Sequence, residues 1–98
     1  MAEEENSVSS EPISVYEHIA QILHAMSVIS WQKLGLQPDM ATGKIVQNIP
    51  EAKVAIDVAA YLAEQLASQV DLEDSRRIQG LIRDLRINYV QKTKELGL

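Results

Sequence analysis

Two histidines, His18 and His24, are the side chains of this chain best suited to bind a metal ion or to transfer a proton. On a helix, their separation of six residues places them about 240° apart around the axis, so they cannot share one ion within a monomer. Glu17 and His24 are seven residues apart and do share a face. A two-fold pairing of two copies could therefore imitate a metal site. A solvated or interface histidine is the simpler interpretation, and we predict no metal and no cofactor.

Motifs for phosphate binding and nucleophilic catalysis are missing from the sequence. Residues 42–44 (Thr-Gly-Lys) resemble the end of a phosphate-binding loop, but Pro38 stands where that loop requires its first glycine. No Gly-x-Ser-x-Gly motif presents a serine nucleophile. We therefore predict that the chain is not an enzyme.

Basic and acidic side chains are segregated along the chain, whose net charge is −5. Residues 1–75 contain three basic and twelve acidic side chains, whereas residues 76–98 contain six basic and two acidic ones. This asymmetry could steer a partner, but attraction between the helices of one bundle is the favoured interpretation. Four of the basic residues form a candidate basic face that could contact nucleic-acid phosphates: Arg76, Arg83, Arg86 and Lys94. Nucleic acid is not the favoured partner, because the chain is acidic overall and no aromatic stacking residues accompany these arginines.

Three predicted helices, at about residues 12–34, 49–69 and 72–94, position these side chains. Ser10 or Ser14, then Asn48 and Asp71, can cap their N-termini, and Gly35 is placed to end the first helix. Apolar residues recur at helical spacing in all three segments. The predicted core faces are Val15, Ile19, Ile22, Leu23, Met26 and Ile29 in the first helix; Ala52, Ala55, Ile56, Ala59, Leu62, Ala63, Leu66 and Val70 in the second; and Ile78, Leu81, Ile82, Leu85 and Tyr89 in the third.

The lengths of the connections predict the topology. The turn at residues 70–72 is so short that the second and third helices must be antiparallel neighbours. Residues 36–48 form a longer loop, expected to be packed cover, that lets the first helix lie across both others. The predicted fold is an all-α, three-helix antiparallel bundle. It forms a single domain over residues 12–98, preceded by an acidic tail at residues 1–11 that is predicted to be disordered.

Two further apolar strips lie outside the predicted core and form a candidate interface. Burial against a second copy of the chain would explain both strips, so a homo-oligomer is predicted, with another protein as a possible partner. In the alternative interpretation, Trp31 folds over the end of the bundle against the loop, and the strip on the second helix is ordinary surface scatter. The strips comprise Ala20, His24, Val28 and Trp31 on the first helix and Val54, Val58 and Tyr61 on the second.

The composition of the chain restricts the cellular compartment in which we expect the protein. The chain has no cysteine, which excludes disulfides and thiolate metal sites. The acidic N-terminus lacks the apolar core of a signal peptide, and no segment is apolar enough to span a membrane. We therefore expect a bacterial or archaeal cytoplasmic protein with no membrane association.

Three segments of the chain resemble the second half of a small uncharacterised bacterial family, domain of unknown function 1844. They are IDVAAYLAEQ at residues 56–65, VDLEDS at residues 70–75 and LIRDLRINYV at residues 81–90. The resemblance covers about residues 13–91 and is most specific around Asp84-Leu85-Arg86 and Tyr89. It implies an all-helical bacterial protein and brings no activity, ligand or catalytic residue. His18, His24 and Trp31 depart from the family's pattern, so any role for them belongs to this chain.

Taken together, these features predict a non-enzymatic helical protein that associates with itself and acts through protein–protein contacts. The alternative function is a nucleic-acid-binding accessory module that uses the basic face of the third helix.

Overall fold

A computed structural model describes residues 11–98 as three α-helices. They are α1 (Val15–Lys33), α2 (Ile49–Leu66) and α3 (Leu72–Leu96), and no strand occurs in this range. The all-α, three-helix prediction is confirmed. The tail prediction for residues 1–10 lies outside the described residues.

Each helix begins at a side-chain cap that the sequence indicated. The Ser14 hydroxyl oxygen accepts a hydrogen bond from the Tyr16 amide at 3.1 Å. Asn48 Oδ1 accepts from the Glu51 amide at 3.1 Å, and the Asp71 carboxylate accepts from the amide three residues later at 2.8 Å. These bonds satisfy amide groups that have no partner within the first turn of a helix.

The helix ends follow from local hydrogen bonds. Gly35 has a φ of +82°, and the amides of Gly35 and Leu36 donate to carbonyl groups in the last turn of α1, which ends that helix as predicted. In contrast, α2 ends at Leu66, three residues before the predicted end. The amides of Ala67 and Gln69 donate to carbonyls only three residues back, so the chain tightens into a turn before α3.

Small side chains form the contact between α1 and α2. On α1, Ser27 and Ser30 are buried, and each hydroxyl donates to the backbone carbonyl four residues earlier at 2.8 Å. On α2, Ala52 and Ala59 are completely buried. Because none of these side chains is bulky and the serine hydroxyls are satisfied internally, the two helix backbones can approach closely.

This packing rotates α1 away from the predicted orientation. Leu23 is buried as expected, but Val15 and Ile22, both assigned to the core from the sequence, are 60% and 48% exposed. The sequence prediction of the core face used apolar residues alone and therefore did not include Ser27 and Ser30. A serine that bonds its own helix presents little more than a small apolar surface to its neighbour.

The second helix is the centre of the bundle. Both α1 and α3 pack mainly against α2, while α1 and α3 touch only marginally. The first helix therefore does not lie across both others, as the loop length had suggested. The cluster of buried residues joins Leu23 of α1, Ile56 and Leu66 of α2, and Ile82 and Leu85 of α3.

The loop between α1 and α2 is bonded to the end of α1, but it is not the packed cover that was expected, because its four larger apolar side chains are all exposed. The Asn48 amide donates to the Lys33 carbonyl at 2.8 Å, and Gln47 Nε2 donates to the Leu34 carbonyl at 3.1 Å. An ion pair of 3.1 Å between Lys33 Nζ and Glu51 Oε1 joins the end of α1 to the start of α2. Along residues 11–98, no helix combines the length and the apolar character needed to cross a bilayer.

Replacing Ala59 by leucine tests the close α1–α2 contact. We expect Ala59→Leu to lower the free energy of unfolding by about 1–3 kcal/mol, because the larger side chain must push the two helices apart. Urea unfolding followed by circular dichroism measures the change. The matched control is Ala25→Leu, at an exposed position of α1, which should change stability by less than about 0.5 kcal/mol. Equal effects of the two substitutions would contradict this packing.

Candidate interaction surfaces

The predicted strip on α2 lies fully on the outside of the bundle. Val54, Val58 and Tyr61 are 63%, 40% and 62% exposed. At 100° per residue they occupy the side of α2 opposite Ala52 and Ala63. No buried residue of α2 belongs to this side, so nothing within residues 11–98 covers it. The strip is therefore an apolar surface that remains available to a partner.

A single ion pair flanks the α2 strip. Lys53 Nζ donates to Asp57 Oδ2 at 2.8 Å, and both side chains are exposed. This hydrogen bond, together with the charge of the Asp57 carboxylate, raises the pKa of Lys53 above its usual value. Lysine is fully protonated at neutral pH in either case, so the pair keeps opposite charges beside the apolar strip without acting as an acid or base.

The predicted strip on α1 divides into two parts. Ala20 and His24 are exposed and Val28 is half-buried, whereas Trp31 is half-buried and packs against the core cluster. The Trp31 carbonyl also accepts from the amide of loop residue Leu36. Trp31 is thus partly packed into the bundle, and only part of its side chain is exposed.

His24 and Val28 lie next to Met40, a residue of the loop between α1 and α2. Together with Ala25 and Ile29 they line an open hollow of about 390 Å³ against Met40. Met40 is itself strongly exposed. No residue of α2 lines this hollow, so it belongs to the outer face of α1 and is separate from the α2 strip.

Several exposed apolar residues were missed by the sequence analysis. They result from the rotation of α1 and from the way the loop folds back, neither of which apolar periodicity reveals. The two serines that bond their own helix were the only feature of the sequence that could have indicated the rotation of α1. The missed residues are Val15 and Ile22 on α1 and Leu36, Met40, Ile45 and Val46 in the loop.

The predicted basic face is present on α3. Arg76, Arg83, Arg86 and Lys94 are all exposed. Arg83 Nε lies 3.7 Å from Asp84 Oδ1, while the other three make no ion pair with any residue of the range 11–98. Their positive charge is therefore largely uncompensated within the described chain.

Two of these arginines border a groove between α2 and α3. The groove has a volume of about 410 Å³ and an apolar floor formed by Ala60, Ala63, Ala67, Ile82 and Ile87. Its polar lining consists of Arg83 and Arg86 with Glu64 and Gln79, and no residue of α1 contributes. The sequence analysis missed this groove because it assigned Ala63 to the core face of the second helix.

Groups that could support metal binding or acid–base catalysis do not converge in the described part of the chain. Between residues 11 and 98, no three side chains of the histidine, cysteine, aspartate and glutamate types form a cluster that could hold a metal ion. His18 and His24 are both exposed. Neither Glu17 nor Asp57 lines the hollow or the groove.

Comparison with known proteins identifies the family. No curated protein and no solved structure matches the chain. A family model described as "Domain of unknown function (DUF1844)" matches residues 16–91, which include nearly all of α1, all of α2 and most of α3. The match contains all three segments on which the sequence resemblance was based. The chain is accordingly a member of the DUF1844 family.

Proposed function

We propose that this chain is a non-enzymatic helical protein that associates with itself and acts through contacts with other proteins. The observation that carries the proposal is the imbalance between its buried and exposed apolar residues. Of the described residues, eleven apolar ones are buried, and four of these are alanines. Sixteen large apolar side chains are exposed on the surface of the same molecule.

Scattered apolar side chains are normal on a protein surface, so their arrangement matters more than their number. On α1 and its loop, His24, Val28 and Met40 lie together around one hollow. On α2, Val54 and Tyr61 are seven residues apart and lie on one face. Contiguous apolar surfaces of this kind are typical of protein–protein interfaces.

The size of a stable interface indicates that neither surface would suffice alone. A specific interface buries about 800 Å² on each partner and involves about 20–30 residues a side. The three apolar residues of the α2 strip fall well short of that. We therefore propose that the outer faces of α1 and α2 both take part, in a self-complementary contact related by a two-fold axis.

A charge introduced into the α2 strip tests the self-association. We expect the wild-type protein to form dimers at micromolar concentration and Val54→Glu to weaken dimerisation by at least about tenfold, because a carboxylate would be buried without a partner. Sedimentation velocity over a concentration series measures both. Val54 is 63% exposed, so the substitution should leave the fold of the monomer intact.

The matched control is Leu96→Glu, which introduces the same charge at an exposed leucine near the end of α3. It should leave the dissociation constant within about twofold of the wild-type value. A wild-type protein that sediments as a monomer throughout the series would refute the proposal. If Val54→Glu and Leu96→Glu weaken dimerisation equally, the α2 strip is not part of the dimer interface.

Nucleic-acid binding is the second candidate, since Arg76, Arg83, Arg86 and Lys94 share one exposed face of α3. The composition of the groove argues against it. A sugar–phosphate backbone lying along Arg83 and Arg86 would leave the apolar floor at Ile82 and Ile87 unfilled. The net charge of −5 would also repel a polyanion over the rest of the molecule.

Retention on nucleic acid distinguishes the two candidates. We expect the wild-type protein to leave a labelled single-stranded RNA and a labelled DNA duplex unbound at about 50 mM salt, where electrostatic binding is strong. Binding that falls with salt, and that Arg83→Glu abolishes, would favour the nucleic-acid candidate.

The bacterial cytoplasm as the place of action is part of the leading proposal, and cell fractionation tests it.

A further inference from the structure

We propose that the groove between α2 and α3 is the docking site for an amphipathic helix of a different protein, with acidic residues beside its apolar stripe. This inference rests on the proposed role in protein contacts but does not depend on self-association. It assigns a second surface, distinct from the outer faces of α1 and α2.

The shape of the groove suits a helix. Ala60 and Ala63 of α2 and Ala67 just after its end are spaced by three and four residues, and Ile82 and Ile87 of α3 line the groove as well. Seven residues of helix span about 10 Å, so the groove accommodates about two turns of a third helix. The alanines leave room for that helix to approach the α2 backbone closely.

The molecule already contains one contact of this type. Ala52 and Ala59 of α2 are completely buried, and α1 packs mainly on this helix. The groove offers further alanines of α2 at a place where no residue of α1 contributes to the lining. A docked helix would therefore repeat against α2 and α3 a packing arrangement that this fold uses internally.

The charge of the groove determines which helix it favours. Arg83 and Arg86 stand beside the apolar floor, opposed by Glu64 alone among acidic lining residues. Arg86 has no ion-pair partner within residues 11–98. Arg76 and Lys94 add positive charge at other turns of α3. Guanidinium groups bind carboxylates through paired hydrogen bonds, so glutamates or aspartates flanking the apolar stripe complete the contact.

A second copy of this chain fits the groove less well. If two grooves met about a two-fold axis, Arg83 and Arg86 would face their own images, and like charges would repel each other. If the groove instead received another helix of the second copy, the contact would be head-to-tail. Such a contact either closes into a ring or grows into an open filament. A different protein that carries an acidic helix avoids both problems.

The test uses a labelled synthetic peptide as the probe. The peptide has about 15 residues, enough to form a helix on binding, with leucines at helical spacing and glutamates beside them. Its twin has lysines in place of the glutamates. In fluorescence anisotropy titrations of the full chain, we expect the acidic peptide to bind at least about tenfold more tightly than the basic twin.

Two charge reversals on α3 provide the matched comparison. Arg83→Glu should weaken binding of the acidic peptide by at least about tenfold, and Arg86→Glu should do the same. Arg77→Glu makes the same change on the same helix. Arg77 does not line the groove but pairs with Glu73 and Asp74, so this variant should stay within about twofold of wild type. Circular dichroism confirms that each variant is folded.

The outcomes separate this inference from self-association, because the same samples are examined by sedimentation. Absence of binding, equal binding of both peptides, or equal loss in the Arg77 and Arg83 variants would overturn the groove proposal even if the chain dimerises. Deletion of residues 1–10, which contain three glutamates, completes the test. If the affinity of the shortened chain for the acidic peptide stays within about twofold of the wild-type value, an external partner is supported. If that affinity rises about tenfold, residues 1–10 occupy the groove in the full chain and the proposal is overturned.

Discussion

The contact between α1 and α2 is made by small side chains, and the rest of the structure depends on it. Buried alanines on α2 meet a face of α1 that includes two buried serines. Each serine hydroxyl bonds to the carbonyl one turn earlier in its own helix, so burying it leaves no polar group unsatisfied. The small side chains allow the backbones to approach closely, and larger side chains such as Leu23 and Ile56 complete the buried cluster.

This mode of packing determines what is left on the surface. The buried face of α1 contains Ser27 and Ser30 beside Leu23, and Val15 and Ile22 lie outside that face and are exposed. Since α3 packs on α2 and hardly touches α1, it covers neither of them. The outer faces of α1 and α2 and the groove beside α3 are thus consequences of one arrangement, in which a central helix is shared by two neighbours.

Much of this fold could be predicted from the sequence, because its signals are local. Asn48 and Asp71 begin helices through bonds to nearby amides, Gly35 ends one through its positive φ, and the short connection before α3 makes α2 and α3 packing neighbours. The cores of α2 and α3 were also predicted, since Ile56, Leu66, Ile82 and Leu85 repeat at helical spacing and are all buried.

The rotation of α1 and the groove could not be predicted, because both depend on which surfaces meet. The sequence places Ser27 and Ser30 on a helix but does not reveal that their hydroxyls turn back to the backbone. Likewise, the sequence places Ala63 and Ile87 on helices but does not show that they line an open groove. The groove becomes visible only in the folded chain, where no residue of α1 covers it. Of the candidate interface residues, Val54, Val58 and Tyr61 are exposed, whereas Trp31 is half-buried and packs against the core cluster, which apolar spacing alone could not distinguish.

The central claim is that the exposed apolar faces of this bundle are covered by a second copy in the functional molecule. The dependence of the thermal unfolding midpoint on protein concentration tests it most directly, because a folded dimer that dissociates on unfolding is stabilised by mass action. The account predicts a midpoint that rises steadily as the concentration is raised from about 1 to 100 μM. A midpoint that stays constant over this range would contradict it.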